Sequence, residues 1–97
     1  MKLQIVGPDN RAALDGKWFP VTLAAFGWHP AYHAVQYDDD KGGGHIEWVS
    51  AGGVTPPNQA ITRDQLFAMF GPLIEHLRTI VEAQRMLDEA RKAQGAS

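Results

Sequence analysis

Two short runs of this chain, His33-Ala34-Val35-Gln36-Tyr37-Asp38 and His45-Ile46-Glu47-Trp48-Val49-Ser50, alternate in polarity around a turn rich in aspartate and glycine. A period of two is the mark of a half-buried strand. Two such runs joined by a glycine-rich turn form a hairpin. The alternation predicts His33, Val35 and Tyr37 on one face of the first strand and Ile46 and Trp48 on one face of the second. Setting Val35 and Tyr37 beside Ile46 and Trp48 buries one apolar side and leaves Gln36 and Glu47 in water.

Shorter strands are expected upstream, over Lys2 to Val6, Arg11 to Leu14 and Lys17 to Leu23. Gly7-Pro8-Asp9-Asn10 supplies turn chemistry between the first two, and Asp15-Gly16 suits a two-residue hairpin between the next two. Pro20 cannot donate a ladder hydrogen bond, which places its strand at an edge or starts it late.

The chain changes character near residue 50. The segment 51–61, rich in Gly and Pro, reads as a connector, and 62–97 as a C-terminal helical segment. Thr62 with Gln65 three residues on is a capping-box pattern. Leu66, Phe70, Leu73, Leu77, Ile80 and Leu87 then recur at helical spacing, with Gln84 interrupting the series and Phe67, Ile74 and Val81 widening the stripe. Gly71-Pro72 predicts either one kinked helix or two helices, because an interior proline removes a donor and clashes with the preceding turn. The fold class predicted is therefore α+β, a small antiparallel β-meander over 1–50 followed by an amphipathic helical segment, within one domain.

The same residues exclude several functions. The formal charge is −2, and the basic side chains are scattered without a patch, which argues against nucleic acid as a partner. There is no cysteine, so no disulfide and no thiolate chemistry. The opening apolar run is too short for a signal peptide, and no apolar run approaches the length of a membrane span. Neither His29 with His33 nor His33 with His45 is accompanied by a marked third ligand, so no metal is expected. Asp38-Asp39-Asp40 beside three glycines fits neither a calcium loop nor a phosphate loop and is expected to be a flexible hairpin tip. Neither serine stands in a nucleophile elbow, and no catalytic or cofactor-binding residue is assigned. An enzyme is not expected.

What remains is contact. Leu73, Leu77, Ile80 and Leu87 on the helical stripe, together with Trp28 and Tyr37, are the candidate protein-contact residues, since aromatic and large aliphatic side chains anchor interfaces. The helical segment is long for so small a domain and is expected to project beyond the sheet, where it meets a partner or a second copy of the chain.

The run Pro30-Ala31-Tyr32-His33-Ala34-Val35-Gln36-Tyr37 to Gly44-His45-Ile46-Glu47-Trp48-Val49, followed by Pro57-Asn58 and Ile61, resembles a family of short bacteriophage proteins encoded beside tail-fibre genes. Their pattern is a "DG" turn, a strand with a short apolar end, a proline, "HAVQW", a glycine turn, "IEY" or "IEW", a "PN" loop and a C-terminal helix. Here Tyr37 replaces the usual tryptophan, the hairpin tip is longer and the helical tail is longer. The resemblance implies a tail-fibre assembly chaperone or a minor tail component, acting on a tail-fibre protein in the host cytoplasm or within the virion tail. It brings no catalytic residue with it.

Overall fold

A computed structural model describes residues 1–95. The strands are β1 (Lys2–Val6), β2 (Arg11–Leu14), β3 (Lys17–Pro20), β4 (Tyr32–Asp38), β5 (Gly43–Trp48) and β6 (Gln59–Ile61), and one helix, α1, spans Arg63–Gly95. Two short 3-10 turns, Leu23–Phe26 and Asp39–Lys41, lie between strands. The fold is α+β.

All six strands form one antiparallel sheet in the order β3-β2-β1-β4-β5-β6. It is thus two three-stranded meanders placed side by side, joined through β1 and β4, and not one sequential meander. Asp15 (φ 52°) and Gly16 (φ 86°) close the β2–β3 turn with left-handed backbone at both positions. Val21 donates to the Asn10 carbonyl, so its neighbour Pro20 faces outward, where a missing N–H leaves nothing unpaired. Pro20 thus removes one donor from the outer edge of β3, and β4 pairs with the other side of β1.

The inner face reads across the sheet in two rows. Phe19, Ala12, Ile5, Val35 and Ile46 align in one; Leu14, Leu3, Tyr37 and Gly44 align with Ile61 in the next. These side chains are buried against Leu66, Phe70, Leu73, Ile74 and Leu77 of α1. Val35 meets Ile46 as predicted, but Tyr37 lies opposite Gly44, and Trp48 lies opposite Tyr32. The first follows from the antiparallel direction, since two residues on from the Val35–Ile46 pair in β4 is two residues back in β5; the second follows from a bulge between Tyr32 and Ala34, which sets Trp48 opposite Tyr32 instead of His33 and leaves His33 exposed.

Thr62 caps α1 as the sequence predicts: its N–H donates to Gln65 Oε1 at 2.9 Å, and its Oγ1 accepts from the Gln65 N–H at 3.2 Å. The chain around Gly71-Pro72 forms one kinked helix. Phe70 leaves the helical region (φ −124°, ψ 16°) immediately before that pair, which accommodates a proline that cannot bond back to the preceding turn.

The hairpin tip is a correction to expectation. Asp39 is an ordered hub, accepting from the Tyr37 hydroxyl, from the Met1 ammonium at 2.9 Å and from Arg63 at 2.6 Å. It ties the first residue, β4 and the start of α1 together. Those three donors, the Tyr37 hydroxyl first, hold the Asp39 carboxyl far below the ordinary carboxylate range. A depressed folded-state pKa contributes stability above the unfolded value, about pH 4, that is lost as pH falls through the folded one. Asp39→Asn is therefore expected to flatten the acid side of the stability–pH curve, measured by urea midpoints between neutral pH and pH 2. An acid limb as steep as that of the parent chain would assign acid unfolding to other groups.

Candidate functional site

The helix is longer than the body it packs on. At about 1.5 Å per residue, its 33 residues span about 50 Å, and the whole molecule measures 61 × 26 × 19 Å. Its buried positions end at Leu77, Ile80 and Val81 are partly covered, and every residue from Glu82 to Gly95 is exposed. The far half of α1 therefore stands free of the sheet.

The side chains change as the helix leaves. On the core side, the line through Leu73, Leu77 and Val81 continues as Gln84, Asp88 and Arg91, all solvated. The apolar residues of the free half lie elsewhere. Thr79, Ala83, Met86, Ala90 and Ala93 recur at alternating steps of four and three, with Ile80 and Leu87 beside them. At about 100° per residue, this second stripe points roughly 170° away from the core-facing one. Met86 is 60% exposed and Leu87 58%. Thr79, Ala83 and Met86, rimmed by Arg78 and Glu82, line a shallow groove of about 390 Å³ whose walls are almost wholly apolar.

The free half is also stiffened. Arg85 donates to Glu82 at 3.2 Å through Nε and to Glu89 at 2.6 Å. This double pairing lowers the Glu82 pKa and raises that of Arg85. Such pairs are worth about 0.2–0.5 kcal/mol each and add to the helical preference of this exposed segment.

The structure scatters the six residues singled out from the sequence. Leu73 (2% exposed), Leu77 (0%) and Tyr37 (4%) are core, so their surfaces are spent within the domain and they are withdrawn as contact residues. Trp28 is half-buried, its ring centroid 5.8 Å from Phe70 and 5.5 Å from Tyr32, where it shields the kink. Ile80 marks the point of departure and Leu87 lies on the free half. Met86 and the alanines beside it were missed because the larger Leu and Ile residues drew the stripe along the core side. The recurrence of Ala83, Met86 and Ala90 was the available signal.

The remaining chemistry is sparse. Among the described residues no group of three His, Cys, Asp or Glu side chains is placed to hold a metal. His33 and His45 are not cross-strand neighbours, since His45 faces Gln36 and approaches Glu47 at 3.7 Å. On the outer sheet face, Gly43 and Gly44 leave a polar depression of about 180 Å³ lined by Lys2, Gln4, Gln36, Asp38, Lys41 and His45. Lys2 stands directly across from Asp38 there, so the opposite charges offset each other. No helix among the described residues is long and apolar enough to cross a membrane. Set against known proteins, the chain matches no family model, no curated protein and no solved structure.

Proposed function

We propose that this chain is a protein-binding module of bacteriophage tail-fibre assembly, without catalytic activity, whose contact surface is the free half of α1. The observation that carries the binding reading is the second stripe, in which Thr79, Ala83, Met86, Ala90 and Ala93 recur at helical spacing with Leu87 on the flank, all exposed, on a segment that the domain does not need for its own core. A stripe of that spacing fits helix-mediated capture. The tail-fibre assignment comes from the hairpin and loop motifs, His33 to Gln36, Ile46 to Trp48 and Pro57-Asn58. The role is physically sensible, because intertwined β-rich trimers assemble slowly and expose strand edges that aggregate.

Co-expression tests it. A tail-fibre protein encoded beside this chain should be recovered as soluble trimer with the chain present and as aggregate without it, and should co-purify with it. Equal yields of trimer in both cases, with no co-purification, would overturn the proposal.

A further inference from the structure

We infer that the second stripe of α1 is covered, in the free protein, by the same stripe of a second copy running antiparallel to it. This rests on the reading of the free half of α1 as a contact surface and names what occupies it.

The spacing selects the kind of occupant. Alternating steps of four and three keep one seam along a helix, the pattern that packs side chains of one helix into the holes of another. The sizes along the seam select the partner and its direction. His76, Ala83 and Ala90 form one set of seam positions and Thr79, Met86 and Ala93 the other. In an antiparallel pair the two sets face each other. About a point between Gln84 and Arg85, Ala83 meets Met86 of the other copy, Thr79 meets Ala90, and His76 meets Ala93. Each layer then joins one larger side chain to one alanine, and every layer is repeated by the two-fold axis. Interiors pack to a uniform density, so matched layer volumes favour this arrangement. A parallel pair stacks Ala83 on Ala83 and Met86 on Met86, leaving a gap beside a crowded layer.

The flanks and the body are compatible with it. Ile80 and Leu87 lie along one flank, and the two-fold brings Ile80 of each helix near Leu87 of the other. Along the other flank the two-fold brings Glu82 of each helix near Glu89 of the other; Arg85, bonded to both within its own helix, offsets that repulsion in part and the remainder weakens the pair. The apolar groove at Ala83 is the hole that Met86 of the second copy enters. The sheet lies on the opposite side of α1, and each domain meets its end of the seam at His76, whose ring rests 4.8 Å from that of Phe26. The paired length, His76 to Ala93, is about 27 Å at 1.5 Å per residue. So short a seam gives a dimer that depends on concentration.

Sedimentation over a concentration series tests this. The mass is expected to rise from that of the 10.7 kDa chain towards twice that value. Ala83→Glu places an unpaired charge in the two central layers and should weaken pairing by about tenfold or more. Arg91→Glu, on the far side of the helix, should leave it unchanged. Both positions are exposed helix, and equal circular dichroism and melting of the dilute variants separate lost pairing from lost fold. The chain has no cysteine, so direction is read by cross-linking. Thr79→Cys mixed with Ala90→Cys should give the mixed disulfide in preference to either homodimer. A monomer at every concentration, pairing indifferent to Ala83→Glu, or homodimeric disulfides in excess would each overturn the inference. A chain that pairs in this way but captures no fibre protein upholds the dimer and sinks the tail-fibre reading; a chain that captures fibre protein yet stays monomeric does the reverse.

Discussion

Replacing Leu77 with alanine is expected to lower the stability of the dilute monomer by about 2–5 kcal/mol, while the same change at Leu87 should shift it by no more than about 0.5 kcal/mol. Both residues are leucines on one helix, and both fall on the stripe that periodicity draws. They differ in what surrounds them. Leu77 is 0% exposed, packed among the core residues beneath the sheet, and truncation there leaves a cavity that the close-packed neighbours fill only in part. Leu87 is 58% exposed on the free half and loses little on truncation. Urea unfolding of the two variants at low concentration locates the point where α1 stops being core. Equal losses at both positions would mean that the far half folds back onto the domain.

Gly44→Ala should destabilise by about 3 kcal/mol or more, at the upper end of what overpacking costs. A methyl group there would lie 2.0 Å from the Gln36 carbonyl oxygen and 2.6 Å from the Tyr37 Cα, both backbone atoms of β4. A flexible side chain could swing aside; a paired strand cannot move without breaking the ladder between β4 and β5. Gly71 is the control, since nothing lies within 4 Å of a methyl group at that helical position. Gly71→Ala should stabilise by about 0.4–1 kcal/mol, by narrowing the unfolded ensemble. Thermal melts of the two variants should therefore move in opposite directions. Similar melting for Gly44→Ala and the parent chain would mean that β5 is not pressed against β4.

Much of the architecture was legible because it is written locally. Asp15-Gly16, the Thr62–Gln65 box and the alternation of Val35 with Gln36 each depend on neighbours a few residues away. The strand order was not, because it turns on the pairing of β1 with β4, some thirty residues apart, which no local pattern specifies. Nor was β6, three residues inside a segment whose Gly and Pro content reads as loop. Asp39 joins partners far apart in sequence, Met1 and Arg63, and no local pattern distinguishes it from Asp38 or Asp40. The candidate site was half legible. That the helix outruns the sheet follows from its length, but which side of it is free depends on where the sheet lies. Leu73 and Leu77 therefore looked available when they are core, and Met86 was passed over.

The central proposal is that the free half of α1 carries the contact with a fibre protein, and the most direct measurement is capture by a chain altered only there. Met86→Glu combined with Leu87→Glu changes two exposed side chains outside the core, so the dilute variant should melt with the parent. The account predicts that immobilised parent chain retains the adjacent tail-fibre protein and that the double variant, equally folded, retains none. Undiminished capture by the double variant, or none by the parent, would contradict it.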